Sequence, residues 1–437
     1  MPRVHVEALD GSLDPVLAVG RLLERPGLLW LDAERTPRGR YAFVGADPVE
    51  VRRRHFGEGA PWSALEGLAR PEDDAATGAV GPPPERVPHW AGYLAYDATW
   101  AEGMRIPPAH PRPPQSPVLW LGRYDAWACF DRIDGRAWIV GDDPAACARL
   151  RRRLRTGPSR PPLASAGAPT VDAAALHVAA IRRAMEHIAA GDVYQVNLAR
   201  RWAAPLLGAP AALAIAMHRA SPVPLGFFLD AGDHAVVTRS METFLEWEGP
   251  GGRLRSRPIK GTIARHGRDG HEAATLRTDT KERAEHAMIV DLMRNDLGRV
   301  AVPGSVRVDE VMAVEPYTKL SHLVSTVSCT TRPEGDVRRI LRATFPPGSV
   351  TGTPKLRAVE LIEALERGPR GVYCGAVGHV ARTGGMHWAV AIRTAQVAAG
   401  EAVYHAGGGI VEASDPDREV AETELKARAF LDALSLL

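Results

Sequence analysis

The chain has 437 residues, 45% hydrophobic and 24% charged, with 54 basic against 52 acidic side chains and a net charge of +2. That is an ordinary globular composition, and no long run of one sign offers a surface for nucleic acid or membrane. Four scattered cysteines, Cys129, Cys147, Cys329 and Cys374, show no metal-type spacing; with no charged-then-apolar leader and no apolar span of ~18–20 residues, a reduced, soluble, cytoplasmic protein is expected.

Residues 1–100 read as short strands and helices, with WAGYLAYD (Trp90 to Asp97) as a buried strand. The segment RIPPAHPRPPQSPV (105–118) holds too many prolines for a helix or central strand. A strand pair follows, VLWLGRYDAWACFDR and RAWIVGD, turning near Asp134-Gly135. Residues 156–170, rich in Pro, Ser, Ala and Gly, read as a linker between an N-terminal segment, 1–155, and a larger region, 171–437. Helices are expected over about Val171 to Ala190, stopped by Gly191, Thr280 to Arg294, Lys355 to Glu366 after Pro354, and Asp417 to Leu434. Strand-like runs lie between them: HAVVT, SHLVSTVSCT, HWAVAIRTAQV and EAVYHAGGGIV. The alternation predicts an α+β fold, a large layered β-sandwich with flanking helices.

Two distant segments share one pattern. Glu282 and Glu285 are three residues apart, as are Glu419 and Glu422. On a helix such pairs project to one side, so two facing helices would bring four carboxylates together. A divalent cation, Mg²⁺ by preference for hard oxygen, would relieve the repulsion. ExxE pairs are very common on solvated helix faces, and spacing alone favours that ordinary reading over a metal site.

Lys260, in RSRPIKGT, stands on a turn beside apolar neighbours, where lost hydration favours the neutral, nucleophilic amine; a plain surface lysine is the alternative. Glu242, in TRSMETFLEWEG, follows a strand beside Phe244 and Leu245, where an apolar pocket can make a carboxyl a general acid; an exposed strand-end glutamate is the more ordinary reading of the segment alone. The glycine-containing turn of FPPGSVTGTPKLRAVELIEAL, with Gly352, runs into a helix and is a candidate anion site, though it lacks the phosphate-loop order. AGGGIV (Ala406 to Val411) is a second loop a ligand can approach closely, and Arg393 can pair with a carboxylate.

Taken in order, GDVYQVNL, SMETFL, PIKGT, KERAEHAMIVDLMRNDLGRV, KLSHLVSTV, PPGSVTGTPKLRAVELI, RGVYCGAVG, AIRT and GGGIVEASDP ahead of AETELKARA resemble the chorismate-utilising enzymes. Those include anthranilate, aminodeoxychorismate, isochorismate and salicylate synthases. The resemblance covers about 171–437, with looser matches at GRYAFVGADP and GYLAYD, and makes 171–437 the catalytic region with 1–155 packing on it. It implies that Glu285 and Glu422 bind Mg²⁺ with Glu282 and Glu419 in support. It implies that Gly352, Tyr373, Arg393, Gly408, Gly409 and Lys426 hold the substrate, that His322 lies near its ring, and that Glu242 is the acid. Water-adding relatives resemble this family with a lysine where this chain has Gln195, and anthranilate synthases read PIAGT where it reads PIKGT. Lys260 is therefore similar to the aminodeoxychorismate branch, whose mechanism is a covalent lysine adduct. The resemblance also implies a separate glutamine amidotransferase partner supplying ammonia. Relatives carry SPE where this chain has Ser240-Met241-Glu242, a departure expected to alter the strand end. An anthranilate synthase component, or a non-catalytic chorismate- or tryptophan-binding protein, stands as the alternative.

Overall fold

The computed structural model describes residues 5–9, 13–34, 39–68, 81–101, 107–113, 116–157, 161–264, 276, 278, 280–316 and 320–437. Parts of the N-terminal stretch (1–4, 10–12), of the proline-rich segment (105–106, 114–115), of the linker (158–160), and Lys319 of KLSHLVSTV lie outside the described residues.

Two antiparallel sheets form the body, thirteen-stranded and ten-stranded among the described residues. In the larger, Leu28–Asp32 pairs with Leu225–Asp230. From there the sheet runs through His234–Ser240, Thr394–Ala398 and Glu401–Ile410 to Gln195–Gly208. In the smaller, Pro88–Leu94 pairs with Ala376–Ala381, and Ile259–Ala264 lies at one end against Leu320–Thr330. Strands from before and after the linker thus share both sheets. Strand periodicity explains the layering. Leu29 and Leu31 face the core between the sheets, whereas Leu28 and Trp30 face a second core under the helices that cover the larger sheet. This is the expected α+β sandwich with flanking helices.

The four expected helices form as Ala174–Ala189, Thr280–Gly298, Lys355–Leu365 and Pro416–Ser435. The last is started by Asp415, whose carboxylate accepts the Asp417 and Arg418 amides, with Pro416 in the first turn. The second runs a turn past its expected end.

Two strand expectations need correction. VLWLGRYDAWACFDR is two strands: Leu119–Arg123 in the smaller sheet and Ala126–Asp131 in the larger. The break falls where the buried Tyr124 hydroxyl donates to the Gly27 carbonyl. The expected turn at Gly135 does close the Ala126–Asp131 and Ala137–Gly141 hairpin. HWAVAIRTAQV also splits, into Met386–Val390 and Thr394–Ala398, again one in each sheet. Arg393 takes a φ of 52° at this bend; no glycine or proline marks it, so an unbroken apolar run concealed it. The linker is likewise partly structured, Ala164–Ala166 and Thr170–Val171 both pairing with Gln195–Gly208.

Candidate active site

The site forms where the end strand of the smaller sheet meets the glycine-rich strand of the larger. Lys260 projects from Ile259–Ala264, and its Nζ lies 3.8 Å from Glu285 Oε2 on the Thr280–Gly298 helix. On its other side is Gly409: a Cβ there would stand 3.0 Å from Lys260 Nζ and 2.4 Å from Gln195 Nε2. Hydrogen is the only side chain that leaves room for both.

Glu242 is buried just past the end of His234–Ser240. Burial raises its carboxyl to about 7, against the opposing effects of the Ser349 hydroxyl, the Lys260 charge and the Ile259 amide. A carboxyl poised there can donate or accept a proton near neutrality. At this strand end, beside Met241, the Glu242 amide donates to Ser240 Oγ at 3.2 Å.

His322 sits in Leu320–Thr330, opposite Thr262 across the ladder. Burial first, then the Arg393 charge, lower its pKa to about 4, with a hydrogen bond to the Gly261 backbone opposing them. It is a neutral imidazole at physiological pH. Arg393, half-buried in the bend between two strands, also influences Tyr404.

The four glutamates come from two helices, one pair beside the strand of Lys260 and the other beside the glycine-rich strand. A Cβ on Gly261 would be 3.4 Å from Glu282 Oε2. On Gly408 it would be 2.9 Å from Glu419 Oε2 and 3.5 Å from Glu422 Oε1. Glu419 accepts from Ser414 Oγ at 2.8 Å. Glu422 pairs with Lys426 at 2.6 Å, and Lys426 also donates to the Gly407 carbonyl at 2.8 Å. The donors are all hard oxygens beside a glycine cradle, and so fit a Mg²⁺-sized cation in kind. Among the described residues no three acidic or imidazole groups converge closely enough to make a complete ligand set by themselves.

Three more expected residues have partners of their own. Tyr373 stacks on His405, ring centroids 5.4 Å apart. Gly352 lies against the Gln195 carbonyl, where a Cβ would come within 2.1 Å. Its glycine is explained by that close approach. Lys426 ties Glu422 to the Gly407 carbonyl.

Sequence reasoning missed two groups. Ser349, in the turn read for its backbone amides, instead offers its hydroxyl to Glu242. His286, buried near Lys260, has Nε2 2.7 Å from Ser325 Oγ and a pKa lowered to about 4 by burial and then the lysine charge. It follows Glu282 by four residues, the one-face spacing that signals it.

Residues 29–432 match the family model described as chorismate binding enzyme. The chain belongs to the chorismate-binding enzyme family. It is similar to anthranilate synthase component 1 of Streptomyces coelicolor, 37% identical over 99% of this chain and 88% of that one. It is also similar to aminodeoxychorismate synthase component 1 of Escherichia coli, 40% identical over 58% of this chain and 56% of that one. The crystal structure of anthranilate synthase component I from Streptococcus pneumoniae superposes with a TM-score of 0.75 at 26% identity, covering 98% of this chain and 99% of that one. The fold is shared with the isochorismate synthase MenF of Escherichia coli, TM-score 0.72 at 19% identity, covering 99% of this chain and 95% of that one. The protein is a chorismate-utilising enzyme.

In this chorismate-binding enzyme a cavity of about 490 Å³ lies behind the site, lined by strands of both sheets. Met241 and Ile259 form part of its wall. They are the chain neighbours of Glu242 and Lys260, so the backbones carrying the two groups border the cavity.

Proposed function

We propose that this enzyme aminates chorismate at ring carbon 4, giving 4-amino-4-deoxychorismate, through a covalent adduct on Lys260. The observation that carries the reading is a lysine at position 260, 3.8 Å from Glu285, whose charge reaches the buried Glu242 carboxyl across the site. A bystander lysine would have no reason to share a site with a carboxyl poised near neutrality.

In the proposed sequence, the Lys260 amine, once it has released its proton, adds to ring carbon 2. Both double bonds of the ring diene shift by one position, the bond from carbon 4 to its hydroxyl breaks, and Glu242 supplies the proton with which that oxygen leaves as water. Ammonia then forms the new bond at carbon 4, both double bonds shift back, and the lysine leaves carbon 2 as the amine. Glu242 recovers a proton from the incoming ammonia. Splitting one displacement into two, with both groups already in place, is the source of the rate gain. Arg393 and the amides at Gly408 and Gly409 hold carboxylate oxygens, and neutral His322 faces the ring without adding charge.

Glu285 and Glu422, aided by Glu282 and Glu419, are the residues that would hold Mg²⁺, which when bound supplies positive charge for a substrate carboxylate. Ammonia is proposed to come from a glutamine amidotransferase partner.

A second reading is favoured by one observation. The Streptomyces coelicolor relative, aligned over nearly the whole chain, is an anthranilate synthase component 1. Chorismate, Mg²⁺ and ammonium, incubated with the wild type and Lys260→Ala and resolved by mass spectrometry, separate the two. Aminodeoxychorismate lost in the variant supports the proposal. Anthranilate with pyruvate overturns it and makes Lys260 dispensable.

A further inference from the structure

We propose that Arg370 is the positioning residue of this site, one buried guanidinium that fixes the turn carrying Ser349, the Tyr373 ring and the strand of Gln195 relative to one another. The inference rests on the chorismate-processing role proposed above, and concerns how the site is held rather than which product leaves it.

Arg370 is 2% exposed, among the largest fully buried side chains. Glu366 takes two of its donors, Nε at 2.9 Å and Nη2 at 2.6 Å. A buried Arg–Glu pair is often no more than a satisfied ion pair, but this one has donors to spare. Nη1 donates to the Val350 carbonyl at 3.1 Å, and Nη2 to the Asn197 carbonyl at 2.8 Å. Val350 follows Ser349, whose hydroxyl hydrogen-bonds Glu242. Asn197 lies two residues beyond Gln195 on the strand facing Gly409.

The guanidinium also lies 5.6 Å from the centre of the Tyr373 ring and 4.9 Å from that of Tyr96. Its own turn is pinned in return. The Arg370 carbonyl accepts Gln396 Nε2, Gln396 Oε1 accepts the Val372 amide, and Asp97 accepts the Gly371 amide. Glu366 completes the frame by accepting the Ala199 amide at 2.8 Å. Only a planar fork with several fixed donors can bridge these points; an ammonium keeps the charge and loses the geometry.

The test is Arg370→Lys in the full-length chain, with chorismate consumption in Mg²⁺ and ammonium as the rate, whatever the product. We expect kcat to fall by about tenfold or more while KM stays within about threefold, the pattern of lost alignment rather than lost binding. The second readout is the Glu242 carboxyl, followed by infrared difference titration against Glu242→Gln. Its midpoint should move upward, because a loosened Ser349 no longer stabilises the carboxylate. Two other titratable groups face it: Lys260, which the substitution leaves in place, and Cys374, which feels the Arg370 charge that lysine preserves. Ser349→Ala should produce the same upward move, and the double variant no more than either alone.

A melting temperature that falls while kcat and the Glu242 midpoint keep their wild-type values would overturn the proposal, since that is what a purely structural arginine predicts. If Arg370→Lys does not fold, Glu366→Gln takes its place, with the same two shifts expected and unchanged values overturning. A wild type that does not turn over sinks the functional reading instead, and the infrared midpoint still decides the positioning role.

Discussion

Glu242→Gln tests the electrostatics of the site with a sign that ordinary carboxylates do not give. Burial lifts the Glu242 carboxyl from 4.5 to about 7, and at 1.36 kcal/mol per pH unit that rise corresponds to about 3 kcal/mol. Between about pH 4.5 and 7 the folded chain keeps a proton that the unfolded chain has released. Stability from this group is therefore lost as pH rises through that window, and above it the full ~3 kcal/mol is a standing cost. Glutamine keeps the shape and never ionises, so the variant should be more stable by about 3 kcal/mol at about pH 8, but only by about 1 kcal/mol at about pH 5. With roughly 2.1 cal/mol/K of unfolding entropy per residue over this chain, the gain at the higher pH is a rise of about 3 °C in Tm. Turnover should meanwhile collapse, because the amide has no proton to give a leaving hydroxyl. Thermal melts of both proteins at the two pH values, beside rate assays, check it. A Tm offset equal at both pH values, or a variant less stable at the higher one, refutes the burial argument. An active variant refutes the acid role.

Other perturbations follow from the same geometry. Gly409→Ala puts a Cβ 2.4 Å from Gln195 Nε2 and 3.0 Å from Lys260 Nζ; turnover should drop by about tenfold or more with Tm nearly unchanged, and an active variant would mean that this strip is not where substrate lies. Glu285→Gln and Glu422→Gln should each weaken Mg²⁺ binding in calorimetry, and EDTA should silence the wild type; wild-type heats from either variant count against the glutamate site. Lys355→Met removes the partner of buried Asp296, 2.6 Å away, together with donors to the Thr344 and Pro346 carbonyls. Losing one member of such a pair costs roughly 3–5 kcal/mol. The urea midpoint should fall, by less at acid pH, where Asp296, already raised by burial, protonates; an unmoved midpoint rules out that anchor.

Much of the fold was legible because its helices carry their own signals. Asp415 with Pro416 opens the last helix, Gly191 closes the 174–189 helix at a φ of 80°, and Gly135 turns its hairpin. The strands were harder to separate. Central strands here are buried on both faces, as Leu28 to Leu31 are. Such runs lose the polar alternation that marks where one ends. That is why two apolar runs were read across breaks at Tyr124 and Arg393, and why the assignment of each half to a different sheet needed the ladder itself.

The site was legible in a different way. No single segment announced a function: an ExxE pair, a lysine on a turn and a glycine run each have an ordinary explanation. What the fold adds is that Lys260, expected on a turn, lies in a strand, and that this strand and the run with Gly409 come from different sheets and meet, with one glutamate pair from each of two helices at their edges. Groups that act through another residue remained invisible, because their partners are remote in sequence. Ser349 is 107 positions from the carboxyl it touches, and Arg370 173 positions from the Asn197 carbonyl it binds. Spacing rules reach only a turn or a strand length along the chain. Chemistry carried by pairs on one element can therefore be read from sequence, whereas the scaffold that aims it can be read only after the sheets have been assembled.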